Sequence, residues 1–359
     1  MKRIITYCVF LISLCTGCEE IYTPEIDTVE NVLVADARII NGKSDNVILI
    51  NESLGFDETE IGNPAVTGSE VTLIDSNGSE HSLPEVENGK FLVDFSLDPE
   101  LDYKLKVEYQ GDIFESSFES VPKAPVLDTV YGVPDTKVIE IAGENDVNDF
   151  REIEGVRLYA DITSEKEMPF YRFTAKWVMQ YTYIVMVPVP GELIPETMFA
   201  WKTFYPQETF NIASPPEYSN STDIIRHPLF FLSRKGNVSS EQTFSGWILI
   251  MYQHGLQEST HGYYKDLNNQ LESEGRLFDP LYVQARSNLR CVNNEEQLIL
   301  GNFEISNAKE YRYYVRFVSD EEGYYLKSIP YFYDIPAEGE QLYEPPDFWE
   351  YPGKKYPDE

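Results

Sequence analysis

Cysteine is scarce in this chain of 359 residues, with four in all, at Cys8, Cys15, Cys18 and Cys291. Three fall within the first eighteen residues, so the body of the chain holds a single sulfhydryl. One thiol cannot close an internal disulfide, and cysteine-rich zinc sites need several sulfur ligands, so both devices are excluded. Stability has to come from core packing. Basic residues are also few, 28 Lys and Arg against 61 Asp and Glu, for a formal charge of −33. No Lys/Arg cluster exists to meet a phosphate backbone, which removes nucleic acid as a partner. The same charge opposes adsorption to an anionic membrane surface. Histidine occurs only at His81, His227, His254 and His261, and neither a Gly-x-Ser-x-Gly elbow nor a Gly-rich phosphate loop is present. No catalytic constellation and no cofactor are therefore expected. No apolar run reaches the roughly 20 residues of a membrane-spanning helix.

What is present begins at the N-terminus. Lys2 and Arg3 precede a mostly apolar run from Ile4 to Leu14, then Cys15-Thr16-Gly17-Cys18. A basic start, a short apolar stretch and small residues before a cysteine make a lipoprotein signal peptide over residues 1–17, with Cys18 as the acylated first residue. The alternative is an ordinary signal peptide with incidental cysteines. Acyl chains at Cys18 would anchor the chain firmly, since each buried CH₂ adds about 0.8 kcal/mol.

Residues 18–30 read as a polar tether containing Pro24. Over 31–121, short alternating segments are separated by turn signals, Asp75-Ser76-Asn77-Gly78, Asn88-Gly89 and Gln110-Gly111-Asp112. Tyr103, Leu105, Val107 and Tyr109 fall on one face with charged residues between them, the period of a half-buried strand. This spacing describes a β-sandwich. A stiff segment, Val121-Pro122-Lys123-Ala124-Pro125, leads to a second β-rich domain over 126–333. There, Tyr171, Phe173, Ala175, Trp177 and Met179 alternate, and Trp247 to Tyr252 is apolar on both faces, as in a central strand. One amphipathic helix is expected near 259–274, with Tyr264, Leu267 and Leu271 on its apolar stripe and Gly275 as its stop. Prolines at 188, 190, 195, 206, 215 and 216 suggest long loops, and 334–359 is an acidic, Pro-rich tail.

Candidate contact residues are Phe199, Trp201, Tyr205 and Tyr218, in the Pro-rich stretch, where aromatics would stack on a ligand or cover a partner protein. The plainer alternative is that they fill a β core. His254, Glu258 and His261 have the i, i+4, i+7 spacing of metal ligands on one helix face, although Gly255 and Gly262 interrupt it and exposed or capping histidines are the simpler reading. Glu144, Asp146 and Asp149 could offer oxygens to Ca²⁺ but lack the order of a dedicated loop, so a solvated turn is the simpler reading.

Several segments, in order, carry a family resemblance: Cys18-Glu19-Glu20, Asn31 to Arg38, Gly68 to Asp75, Asp128-Thr129-Val130-Tyr131, and Phe170-Tyr171-Arg172-Phe173. Leu277-Phe278-Asp279-Pro280, Leu300-Gly301-Asn302-Phe303 and Pro345-Pro346-Asp347-Phe348-Trp349 continue the series. The chain resembles the Bacteroidetes lipoproteins that carry the domain of unknown function 4249. That resemblance implies an immunoglobulin-like first domain, an outer-membrane location, and an accessory role beside a TonB-dependent transporter, with no enzymatic activity attached. Glu19 and Glu20 resemble the surface-export signal of such lipoproteins, which implies the cell surface; an inward-facing lipoprotein is the alternative. Relatives carry cysteines near Ala200-Trp201 and before the final Phe-Trp, and none stand here. Two other functional classes stay open: a surface hydrolase of glycans or peptides, working through two carboxylates, and a structural envelope protein. Replacing Cys18 by Ser is expected to move the protein from the membrane pellet to the soluble fraction. Mass spectrometry of the native mature N-terminus should find acylated Cys18, and an unmodified thiol there would refute the anchor.

Overall fold

The computed structural model describes residues 32–54, 64–141, 149–163, 169–205, 210–217, 221–233, 244–272, 285–319, 323–328 and 341–342. The first part holds β1 (Leu33–Asn41), β2 (Asn46–Glu52), β3 (Glu70–Asp75), β4 (Glu80–Ser82) and β5 (Glu85–Glu87). It continues with β6 (Lys90–Val93), β7 (Asp102–Tyr109), β8 (Asp112–Ser116) and β9 (Glu119–Ser120). Longer strands follow: β10 (Thr129–Ile141), β11 (Asp149–Ile162), β12 (Phe170–Val189), β13 (Glu192–Phe204), β14 (Asn211–Ala213), β15 (Ile224–Ser233) and β16 (Phe244–Leu256). A helix, α1 (Glu258–Glu272), precedes β17 (Leu289–Cys291), β18 (Ile299–Ser319), β19 (Gly323–Ser328) and β20 (Gln341–Leu342).

The chain is mainly β, and its strands make three sheets. The largest runs β5-β6-β2-β1-β18-β16-β12-β13-β20, with β14 on β12 and β19 on β18. The second is β17-β8-β7-β3-β4 with β9 on β7, and the third is β10-β11-β15. Turn chemistry sets the local hairpins. Asp75 Oδ1 accepts the backbone N–H of Asn77 and of Ser79, both at 2.9 Å, which closes the β3–β4 turn. Gln110 and Gly111 both have positive φ, 52° and 93°, the mirror-image turn that matches strand twist between β7 and β8.

Two cores form against the large sheet. In the first, Ala35, Ala37 and Ile39 of β1, Ile48 and Ile50 of β2, and Phe303 and Ile305 of β18 meet Leu73, Leu105 and Phe114 of the second sheet. In the other, Tyr171 and Phe173 of β12, Leu249 and Met251 of β16, and Val315 of β18 meet Val156, Leu158 and Leu229 of the third sheet. Phe303, Ile305 and Val315 share parity on β18, and side chains alternate with period two. Both small sheets therefore cover the same face of the large one.

This organisation departs from a division near residues 121–126. β18 pairs in parallel with β1, Leu33 against Ile299 through Asn41 against Asn307, and β17 pairs with β8. The first core thus draws on residues far beyond 126, because a 21-residue strand is long enough to serve both cores. The Pro-rich stretch also differs from the expected loops. β12 and β13 form one hairpin, from Trp177 opposite Phe204 to Val189 opposite Glu192. Pro190 presets φ at the first turn position and Gly191, at φ 99°, takes the left-handed second one. The helix buries Thr260, His261 and Tyr264, whereas Leu271 is exposed. Gly275 and most of the 334–359 tail lie outside the described residues.

Gly301 is the tightest approach in the sheet. Its φ is 99°, and a Cβ there would sit 1.9 Å from the carbonyl oxygen of Ala35 on β1. Gly301→Ala is expected to lower unfolding stability by about 2 kcal/mol or more, since strain and overpacking combine. Thermal denaturation checks this, and an unchanged midpoint would contradict the pairing of β1 with β18.

Candidate functional site

On the face of the large sheet opposite the two cores, α1 covers a buried polar cluster. β16 leaves the sheet at Leu256 and the chain turns directly into the helix. Gln257 starts it by accepting the N–H of His261 at 3.0 Å, and Glu258 in the first turn suits the positive end of the helix dipole. A second carboxylate holds this end from below. Glu119 of β9 accepts hydrogen bonds from Ser117 Oγ at 3.2 Å, Ser259 Oγ at 3.2 Å and Asn288 Nδ2 at 2.9 Å. It is almost fully buried, and burial raises its pKa above the usual carboxylate value despite those donors.

Beneath the middle of α1, Arg172 Nη2 of β12 donates to Glu304 Oε1 of β18 at 2.8 Å. Tyr264 OH of the helix donates to the other oxygen, Oε2, at 2.6 Å, and the Arg172 guanidinium lies 4.9 Å from the centre of the Tyr264 ring. Both ion-pair partners are buried. Burial acts to raise the Glu304 pKa, but the Arg172 charge and the two hydrogen bonds outweigh it and hold it below the ordinary value. Burial and the neighbouring Glu304 charge push the Tyr264 hydroxyl well above its usual range. Breaking such a pair from one side costs about 3–5 kcal/mol, because it strands the remaining charge. Around it, Asn302 Nδ2 donates to Thr260 Oγ1 at 3.2 Å, and His254 Nε2 lies 3.1 Å from Thr174 Oγ1. Arg172 Nε, His254 Nδ1, Asn302 Oδ1 and Ser306 Oγ are buried and meet no hydrogen-bond partner among the described residues.

Outside this cluster, α1 forms one wall of a cleft of about 750 Å³. Phe170, Pro215, Glu258, His261 and Lys265 line it, together with Ser287 and Asn288. The Phe170 and His261 rings lie 5.1 Å apart at their centres. Its two cations are paired, Lys265 Nζ with Glu217 at 3.0 Å and Arg286 Nε with Asp266 at 2.8 Å, and Glu258 adds a further carboxylate. Burial, aided by Lys265, lowers the His261 pKa to about 4, so the cleft presents a neutral imidazole.

The residues singled out by sequence are placed as follows. His254 lies on β16 whereas Glu258 and His261 are on α1, so the i, i+4, i+7 helix face does not exist. Among the described residues no group of three His, Cys, Asp or Glu side chains could hold a metal ion. His254 and Thr174 do not form an open nucleophile–base pair, since His254 is buried and its Nδ1 meets no acid. Trp201 is fully buried, opposite Gln180 on β12, and packs the sheet instead of facing a partner. Tyr205 is exposed just beyond β13, and Phe199 lies in β13 opposite Thr182. Cys18, Glu19, Glu20, Tyr218, Glu144 and Asp146 lie outside the described residues, and Asp149 begins β11. Cys291 is a free, buried thiol 3.2 Å from Asn293 Oδ1.

Arg172, Glu304, Glu119 and Lys265 were not singled out by sequence, and Tyr264 only as part of the helix's apolar stripe. A signal existed for two of them. Arg172 stands between Tyr171 and Phe173, and Glu304 between Phe303 and Ile305, each a charge flanked by two large apolar residues.

A family model described as "Domain of unknown function (DUF4249)" matches residues 19–312. The chain belongs to that family. The match runs from the tether through β1 to the part of β18 that builds the polar cluster, so the cleft and the ion pair both fall inside the DUF4249 region. No curated protein and no solved structure matches the chain.

The buried histidines set a pH dependence. His254, with burial as the main cause, is lowered to about 3, and His261 to about 4. Histidines in the unfolded chain titrate near 6.5, so below that pH the unfolded state binds more protons than the native one. Stability is therefore full above pH 6.5 and is lost as pH falls toward 4, by up to about 1.4 kcal/mol per pH unit for each histidine. Glu119, raised in the fold, opposes this just above its ordinary value. With His227, which burial also lowers to about 4, denaturant unfolding is expected to show a stability about 3–6 kcal/mol lower at pH 5 than at pH 7. The double variant His254→Gln/His261→Gln should cut that difference to about the third left by His227; equal stability of the native protein at both pH values would refute the assignment.

Proposed function

We propose that this DUF4249 protein is a lipid-anchored, non-enzymatic outer-membrane accessory protein. In this reading it faces the cell surface and holds a small ligand for a TonB-dependent transporter. The observation that carries the ligand-holding part is the cleft beside α1. Its two cations are each held by a carboxylate, Glu258 adds one further acid, its histidine is uncharged, and an aromatic and two prolines supply apolar wall. A small polar molecule, neutral or with one positive group to meet Glu258, suits such a lining, since it finds apolar contact and a few fixed hydrogen-bonding groups there. The buried ion pair behind α1 fixes the helix that forms the wall, which keeps the cleft preformed. The anchoring part is supported by the signal-peptide pattern ending at Cys18, and the strongly acidic composition leaves adsorption to the lipid surface to the acyl chains.

Affinity purification of the tagged protein from detergent-solubilised outer membrane tests the partner. A β-barrel transporter is expected to co-purify in near-stoichiometric amount, and its consistent absence would refute the accessory role.

A further inference from the structure

The β12–β13 hairpin continues past the rest of the large sheet. β16 pairs with β12 only as far as Tyr181, and β20 pairs with β13 at Trp201 and Lys202. Among the described residues no strand flanks Ile184–Val189 or Glu192–Thr197, six residue pairs that form a free two-stranded arm. Residues opposite one another in such a ribbon share a face. One face therefore carries Ile184, Met186 and Pro188 with Thr197, Pro195 and Leu193, and no charge at all. Ile184 is 66% exposed, Leu193 60% and Met186 51%, so large apolar side chains are gathered on one face instead of scattered singly, the arrangement that marks an interaction surface. The other face carries Val185, Val187, Val189 and Ile194 with two acids, Glu192 and Glu196.

From this geometry we infer that the arm inserts into the cleft of a partner protein, one wall of which is apolar and uncharged and the other basic. Addition of a partner strand to its edges is disfavoured. Proline has no N–H, so within a ladder its nitrogen must face outward, and Pro188 and Pro195 interrupt the donor rows of the two edges. A lipid bilayer does not suit it either, because open edges leave backbone groups unsatisfied in hydrocarbon. A second copy of the chain offers too little area. Six pairs span about 20 Å, so a face gives on the order of 250 Å². Two such faces together bury about 500 Å², below the roughly 1,200 Å² at the lower limit of specific complexes. Engulfing both faces and the tip raises the total to about that limit. Glu192 and Glu196 then require Lys or Arg on the wall they meet, and the uncharged face requires none.

The inference rests on the reading that the protein acts with a partner, but not on that partner being a transporter. The arm lies at the far end of β12 from Phe170, which lines the α1 cleft, so the two surfaces are tested separately. The test places a photo-crosslinking amino acid at Leu193, on the uncharged face, or at Ile194, on the acidic face, of the full chain in the cells that make it. Adducts are identified by mass spectrometry. Both positions are expected to give adducts to one and the same protein, mapped to an apolar cleft bordered by Lys or Arg. Glu192→Lys/Glu196→Lys should lower the yield from Leu193 at least about fivefold without changing the thermal midpoint. Adducts from one face only, to lipid, to a second copy of the chain, or to nothing overturn the inference, as does an unchanged yield in the charge-reversed variant. Co-purification of a transporter that survives those reversals leaves the proposed function standing and removes the arm from it. A mapped cleft in a protein that is no transporter does the reverse.

Discussion

The fold is closed by a parallel pairing between strands some 260 residues apart in sequence, Leu33–Asn41 of β1 with Ile299–Asn307 of β18. Bringing such distant segments together costs loop-closure entropy, though that cost grows only slowly with loop length. Nine consecutive register pairs and the side chains they bury offset it. Once β1 and β18 are joined, the large sheet is continuous, and the two smaller sheets have a common surface on which to pack. Gly301 marks how close the two backbones come.

That continuity creates a second requirement. With one face of the sheet committed to apolar cores, the charged residues of the same strands emerge on the other. Arg172 and Glu304 are brought under α1 there, and Tyr264 completes the carboxylate's hydrogen bonds. A buried ion pair is a weak source of net stability compared with an apolar replacement. Its effect is specificity: only one placement of the helix satisfies both charges and the tyrosine hydroxyl together. The cleft inherits that fixed wall. Neutral His261 beside Phe170 follows from the same burial.

Much of the strand content was legible in the sequence because period-two alternation is a local signal. Tyr103 to Val107, Tyr171 to Met179 and the two-faced apolar run at Trp247 behave as their patterns indicate. The helix was legible in extent, and of the stripe Tyr264, Leu267 and Leu271 the first is buried as expected; Leu271 is exposed, and the polar Thr260 and His261 complete the buried side. The partnership of β1 with β18 left no local trace, so the boundary drawn near residue 121 missed the contribution of β17 and β18 to the first core. Prolines misled for a related reason. Pro188 and Pro195 argue against a central strand, and they stand in a ribbon that no strand among the described residues flanks, where the missing N–H costs nothing. The ion pair was half legible: a charge between two large apolar residues signals a buried partner, but not which one.

Strand β18 serves one core through Phe303 and Ile305 and the other through Val315, always with side chains of one parity. Inserting or deleting a single residue between them would turn every subsequent side chain through half a revolution, exchanging core for solvent along the remainder of the strand. Lineages of this fold can therefore lengthen or shorten that stretch only in steps of two, or by adding a compensating bulge.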